Sequence, residues 1–220
     1  KCGAGLMNLP ICILSVGIGL GYADAGPTHY STEDFACLRS LSNCYIFTAS
    51  DPEMAKIVAK ETLKINKPIF VRLDRKSSKS FLGKVNTAQV RQGYRFMIKN
   101  SKPKILIVSQ GSIIERPLKV YESLNKKLKK KIDIIDLIRT KPFSKDLRKI
   151  LKKYQFILTI DEQTSEGSLG SLIKENTSSK NHIKSLSLPD EFIFENIGRD
   201  KLLDKHGLSL KKIKNNLQNF

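Results

Sequence analysis

Tryptophan is absent from this 220-residue chain, and aromatic residues make up only 7% of it. A protein that reads nucleic acid by stacking bases needs an aromatic platform, and little is available here to build one. Acidic residues are also scarce, with 21 Asp and Glu against 39 Lys and Arg and a formal net charge of +18. The excess is spread along the chain, +7 over residues 1–100 and +11 over residues 101–220. Runs such as Lys126-Lys127 and Lys129-Lys130-Lys131 fall on the solvated face and end of an expected helix. No groove-reading motif accompanies the charge, so a lysine-rich composition accounts for it without a specific nucleic-acid partner. The alternative of a different class is a non-catalytic basic interaction module, whose mark would be salt-sensitive binding to anionic polymers.

Cysteine is sparse and confined to the first fifth of the chain, at Cys2, Cys12, Cys37 and Cys44, without a C-x-x-C pair. That pattern argues against a zinc site or a disulfide framework and fits buried free thiols in a reducing, cytoplasmic setting. A long uninterrupted apolar run is missing too. Residues 4–20 are mostly apolar, but Asn8, Pro10 and several glycines break them, and the run is short of the about 20 residues a spanning helix needs. No membrane association is expected. The chain opens at Lys1 and reads as though it begins partway through a domain.

The 40% hydrophobic content is enough for well-formed cores. From residue 10 the pattern alternates: a strand over 11–16, a Gly-rich loop, a helix over 31–41, a strand over 44–48, a helix over 51–65 and a strand over 69–73. Ser50 as N-cap, Pro52 in the first turn and Glu53 three residues on mark the start of the second helix. Short apolar strands alternating with helices imply βαβ units and a parallel sheet. Residues 76–103 lack sustained periodicity and read as a linker. A second alternation follows, with strands over 105–109, 132–137, 156–160 and 184–188, helices over 113–130 and 144–154 and from about 168, a loop over 161–167, and a closing amphipathic helix carrying Leu208, Leu210, Ile213 and Leu217. The fold class is α/β, with two mainly parallel sheets flanked by helices. The expected domains are 1–75 and 104–220, joined by 76–103.

The loop Gly19-Leu20-Gly21-Tyr22-Ala23-Asp24-Ala25-Gly26-Pro27-Thr28-His29-Tyr30 stands between a strand and a helix start. Backbone with few side chains lets a ligand approach closely, helix-start amides attract anions, and a histidine moves protons near neutral pH. A histidine before a helix is more often only a surface or capping residue, and the residues alone leave both readings open. Arg72 and Arg75 leave the C-terminal end of a parallel strand, where ligands of open α/β sheets bind. Guanidinium groups grip phosphate through paired hydrogen bonds, but an ion pair with a carboxylate such as Asp74 is the plainer account. Asp24, within the loop, fits an Asx-turn. His182 and His206 are expected at the surface.

Several motifs, in order, carry a family resemblance. Gly26-Pro27-Thr28-His29, the acidic helix start, Leu38-Arg39-Ser40-Leu41-Ser42-Asn43 and Ala49-Ser50-Asp51-Pro52-Glu53 resemble the second half of the transketolase pyrimidine-binding domain. Ser109-Gln110-Gly111-Ser112, Asp161-Glu162-Gln163, Gly167-Ser168-Leu169-Gly170 and Leu188-Pro189-Asp190-Glu191-Phe192 with Gly198-Arg199-Asp200 resemble the transketolase C-terminal domain, the last most like the 1-deoxyxylulose-5-phosphate synthase branch.

The resemblance implies thiamine diphosphate as cofactor and an active site between subunits, formed by a homodimer or with a complementary N-terminal subunit or segment. It implies that His29 hydrogen-bonds a sugar oxygen and assists proton transfer, and that Arg75, Arg72 and Asp24 bind a sugar phosphate. In transketolases the acid directly precedes Gly-Pro-Thr-His, where this chain has Ala25, so Asp24 is displaced by one residue. The Glu162-Gln163 loop is expected to serve packing or subunit contact. The cofactor-activating glutamate and the ligands of Mg2+ are expected outside this chain. The implied reaction is transfer of a two-carbon ketol unit between sugar phosphates; the alternative is condensation of pyruvate with an aldose phosphate.

Overall fold

A computed structural model describes residues 1–75 and 83–218. Nine strands and nine α-helices among them alternate along the chain: β1 (Cys12–Val16), α1 (Asp34–Ser40), β2 (Tyr45–Thr48), α2 (Pro52–Thr62), β3 (Ile69–Leu73), α3 (Thr87–Gln92), β4 (Tyr94–Ile98), β5 (Ile105–Ser109), α4 (Glu115–Glu122), α5 (Lys126–Lys129), β6 (Ile132–Leu137), β7 (Arg139–Lys141), α6 (Lys145–Leu151), β8 (Phe156–Thr164), α7 (Leu169–Glu175), β9 (His182–Leu188), α8 (Arg199–Leu203) and α9 (Leu210–Gln218). The first sheet runs β1-β3-β2-β7 and the second β4-β6-β5-β8-β9. In each the sequential strands are parallel and one edge strand is antiparallel, β7 against β2 and β4 against β6.

β5 is an apolar run, and β5, β6 and β8 are buried nearly end to end because helices cover both faces of a parallel sheet. β1 is the same kind of run, yet it lies at a sheet edge with Leu14 62% and Val16 49% exposed. Its neighbours Ile11 and Ile13, on the opposite face by strand alternation, are exposed as well.

The segment read as a linker contributes structure of its own. Asn86 caps α3 with a full capping box to Gln89, Gly93 closes the helix at φ 92°, and β4 then completes the second sheet. Residues 76–82 of that expected linker, and 219–220 at the end of the expected second domain, lie outside the described residues. The single helix expected over 113–130 is two, because Asn125 accepts a hydrogen bond from the Leu128 N–H (2.9 Å) and starts α5 afresh. Asp51, rather than Ser50, caps α2 by accepting from the Met54 N–H at 2.8 Å. Glu53 pairs with Lys56 in place of the expected box. β8 continues to Thr164, so Asp161, Glu162 and Gln163 are buried strand residues where a loop was expected. In the last helix Ile213 and Leu217 are buried and Leu210 is exposed. Three of the four cysteines are exposed, and only Cys44 is buried as anticipated.

The two halves share interior. Leu20, Ala23 and Tyr30 of the Gly-rich loop pack in one core with Ile107, Ile160 and Leu188 of the second sheet. Phe35 of α1 packs with Leu106, Val108 and Leu169 on that sheet's other face. A buried ionic group adds to the seam: Arg95 on β4 donates to Asp51 at 2.8 Å and to Asp136 on β6 at 3.0 Å, and Ser50 donates to Asp136 at 2.6 Å.

Candidate active site

The loop 17–31 leaves β1 and is closed by paired backbone hydrogen bonds between Gly19 and Ser31, at 3.0 and 2.9 Å. Two glycines are needed for its shape. At Gly17 (φ +99°) a Cβ would stand 2.2 Å from the Tyr22 ring, and at Gly19 (φ +57°) one would stand 2.3 Å from Glu162 Cβ. The first lets Tyr22 fold back over the strand end; the second lets the loop rest on β8. There the Leu20 N–H donates to Glu162 Oε2 at 3.2 Å.

On the outer side of this loop three of the expected residues come together around Tyr22. The Arg75 guanidinium lies over the Tyr22 ring, 4.6 Å from its centroid. The His29 ring is 5.9 Å from the same ring. Asp24 is ion-paired with Arg75. The His29 Nδ1 is 3.0 Å from the Thr28 hydroxyl, and among the described residues its Nε2 has no partner. His29 is exposed and the Arg75 side chain is 38% exposed, so the cluster forms an open face and not a closed cavity. An imidazole with one nitrogen engaged and a guanidinium, both against one tyrosine ring, are groups suited to a sugar oxygen and a phosphate.

Arg72 is placed differently. It is wholly buried, donates to both oxygens of Asp34 at 2.7 and 2.8 Å and to Thr48 Oγ1 at 3.3 Å, and stacks over Phe35 at 5.4 Å. A guanidinium so enclosed pins α1 to β3 and does not reach the open face. The expected pairing of an arginine with Asp74 occurs elsewhere: Asp74 receives Arg199, at 2.9 and 2.7 Å, and also accepts from Ser112. Arg199 also grips Glu162 through two bonds of 3.0 and 2.8 Å. Burial works against its charge, but Glu162 and Asp74 outweigh that and push its pKa above the ordinary arginine value. A cleft of about 440 Å3 adjoins Arg199, lined also by Arg116 and Asp204; neither His29 nor Arg75 borders it.

Asp161, next to Glu162, is buried. Burial pushes its pKa up to about 7, against the pull of the Leu169 N–H, which donates to it at 2.9 Å. Burial likewise raises Asp136 to about 6, with Arg95 opposing. His206 is not a surface residue, as its side chain is 9% exposed between Glu191 and Glu195. His182 is exposed and stacks on Phe156.

Sequence reasoning passed over Tyr22, Asp34 and Arg199. Tyr22 and Arg199 stood inside quoted motifs and Asp34 belongs to the acidic helix start, but their arginine and carboxylate partners lie far along the chain, and no spacing rule links them.

The model of the transketolase C-terminal domain matches residues 95–213, and that of the transketolase pyrimidine binding domain matches residues 1–79. The chain belongs to the transketolase family. Among curated relatives of this transketolase-family chain, 1-deoxy-D-xylulose-5-phosphate synthase of Pasteurella multocida (strain Pm70) is 28% identical, over 98% of this chain and 34% of its own length. The synthase of Mannheimia succiniciproducens is 27% identical with the same coverage. The chain thus spans about a third of the length of the curated relatives it matches. Among solved structures, one described as a split gene transketolase, inactive beta4 tetramer, superposes with a TM-score of 0.78 at 20% identity, over 98% of this chain and 68% of that one. The transketolase of Campylobacter jejuni gives 0.73 at 18% identity, over 95% and 31%. These structures share the fold of two helix-flanked sheets.

Proposed function

We propose that this chain supplies the substrate-facing part of a thiamine diphosphate-dependent transketolase-like enzyme that transfers a two-carbon ketol unit between sugar phosphates. The observation that carries the reading is the meeting of His29, Tyr22 and Arg75 on one open face at the C-terminal end of β3. In this reading Arg75 holds the phosphate by charge-assisted hydrogen bonds. The outward nitrogen of His29 hydrogen-bonds the reacting hydroxyl or carbonyl oxygen and carries its proton as the carbon-carbon bond breaks or forms. Asp24 trades Arg75 for a substrate hydroxyl when the phosphate binds. Arg72, enclosed with Asp34, keeps β3 and α1 together beneath the site.

Thiamine diphosphate, when bound, supplies the electron sink for the chemistry. The reading places its seat outside the described residues. Among the described residues no group of three or more His, Cys, Asp or Glu is placed to hold a metal ion. The carboxylates of the loop and strand ends, Asp24, Asp34 and Asp74, are taken by Arg75, Arg72 and Arg199. The reading therefore assigns the cofactor-activating glutamate and the Mg2+ ligands to a second polypeptide or segment that completes the site, either within a homodimer or as a complementary N-terminal partner. The exposed apolar residues of β1 support such a partner. Neither a nucleic acid nor a membrane enters the reading: the basic residues are dispersed, and no helix among the described residues is long and apolar enough to cross a membrane. Four free thiols fit the reducing cytoplasm.

The second reading, condensation of pyruvate with an aldose phosphate, is favoured by the names of the curated relatives. Substrate profiling of the complete enzyme separates the two. Turnover of ketose phosphate donors with aldose phosphate acceptors supports ketol transfer; turnover of pyruvate with an aldose phosphate and none with ketose phosphates overturns it in favour of the synthase reading.

A further inference from the structure

Arg199 stands at the N-terminus of α8, far from the Gly-rich loop in sequence, yet it touches both supports of the open face. One arm reaches Asp74, the residue before Arg75, with bonds of 2.9 and 2.7 Å. The other reaches Glu162 with bonds of 3.0 and 2.8 Å, and the same Glu162 oxygen that receives Arg199 Nε also receives the Leu20 N–H at 3.2 Å. Leu20 is two residues before Tyr22, the ring that carries Arg75 on its face and has His29 beside it. A third contact, to Ser112 Oγ at 3.3 Å, ties in the turn after β5. The Arg199 side chain is 16% exposed, Glu162 2% and Asp74 10%, so water competes little for these bonds.

We propose that Arg199 is a positioning residue of the substrate site, a clamp that fixes the Arg75-bearing strand end and the Tyr22–His29 loop relative to each other. The inference rests on the functional reading of His29 and Arg75 given above. One planar guanidinium holds Glu162 through Nε and Nη2 and both oxygens of Asp74 through Nη1, and this fixes the distance and angle between the two carboxylates in a way that a lysine ammonium cannot. A loop carrying an imidazole and a strand end carrying a guanidinium bind one ligand together only if their separation is fixed, and losing that registration weakens binding without removing either group.

The test uses this chain with inorganic phosphate as the probe, followed by NMR at the Arg75 side-chain Nε–H and the His29 ring, while hydrogen exchange reports the Leu20 amide. Arg199→Lys is expected to accelerate Leu20 exchange at least about tenfold, since its acceptor is no longer held. It is expected to weaken phosphate binding about fivefold or more at an Arg75 signal that remains present, a signature that general loss of stability would not give. Asp74→Asn is the second variant, in case the lysine variant does not fold; it weakens the strand arm and the Ser112 contact beside it but leaves the Glu162 arm, so phosphate binding weakens while Leu20 exchange stays near wild type. Phosphate bound by the wild type with affinity and Leu20 exchange both unchanged within about twofold in Arg199→Lys overturns the clamp and leaves the functional reading standing. A wild-type chain in which phosphate moves neither the Arg75 nor the His29 signals overturns the functional reading, and the positioning role with it.

Discussion

Asp24 is ion-paired with Arg75 across a gap of 51 residues in sequence, on the exposed side of the Tyr22 ring. A carboxylate on that guanidinium occupies part of the fork that a phosphate would use, so the two compete. Asp24→Asn is expected to tighten inorganic phosphate binding by about threefold to tenfold and to change stability by less than about 0.5 kcal/mol, because an exposed pair contributes little. Calorimetric or NMR titration checks this. Weaker phosphate binding in the variant would show that Asp24 assists phosphate capture.

Arg72 separates a binding role from a structural one. Its removal leaves Asp34, which is only 19% exposed, without its cation. Arg72→Met is expected to cost roughly 3 kcal/mol, the low end for a broken buried pair because Asp34 regains some water. The urea midpoint should drop accordingly, while phosphate still shifts the Arg75 signal under native conditions. Unchanged stability with lost phosphate binding would make Arg72 a ligand.

The buried acids set a pH dependence whose sign is unusual. Asp136 and Asp161 titrate at about 6 and about 7 in the folded chain, above the ordinary aspartate value of 3.8, so folding takes up protons between those values. Stability therefore falls as pH rises through that window. Glu61 and Glu195, whose pKa values are lowered chiefly by hydrogen bonds from Arg91 and Lys205, contribute stability that is already complete above the ordinary glutamate value, so they do not offset the fall. Urea denaturation across about pH 5 to about pH 8 should show a declining midpoint, flatter in Asp161→Asn, whose amide oxygen still accepts the Leu169 N–H. A midpoint that rises over this range contradicts the assignment.

Local chemistry carried most of the fold into view. Apolar strand runs and the glycines and prolines between them located seven of the nine strands, because both signals are contained within a few residues. The short β7 was not visible, since its three residues become a strand only by adding to β2 from the other half of the chain. β4 was missed for a similar reason, although Asn86-Thr87-Ala88-Gln89 followed by Gly93 is a readable helix signal that marked structure in the expected linker. Of the residues singled out as candidates, Asp24 pairs with Arg75, and His29 and Arg75 both lie against Tyr22. Which arginine faces outward was not legible: it depends on Asp34 capturing Arg72 and Asp24 capturing Arg75, pairings fixed by the packing of α1 and the loop.

The most direct test of the central claim is turnover by the complete enzyme with His29→Ala, alongside His29→Asn as a variant that keeps a hydrogen-bonding group. His29 is exposed, so neither substitution should disturb folding. The account predicts a fall in kcat/KM for the sugar phosphate of about 100-fold to 10,000-fold in the alanine variant, with an unchanged unfolding midpoint. Turnover within a few-fold of wild type would contradict it.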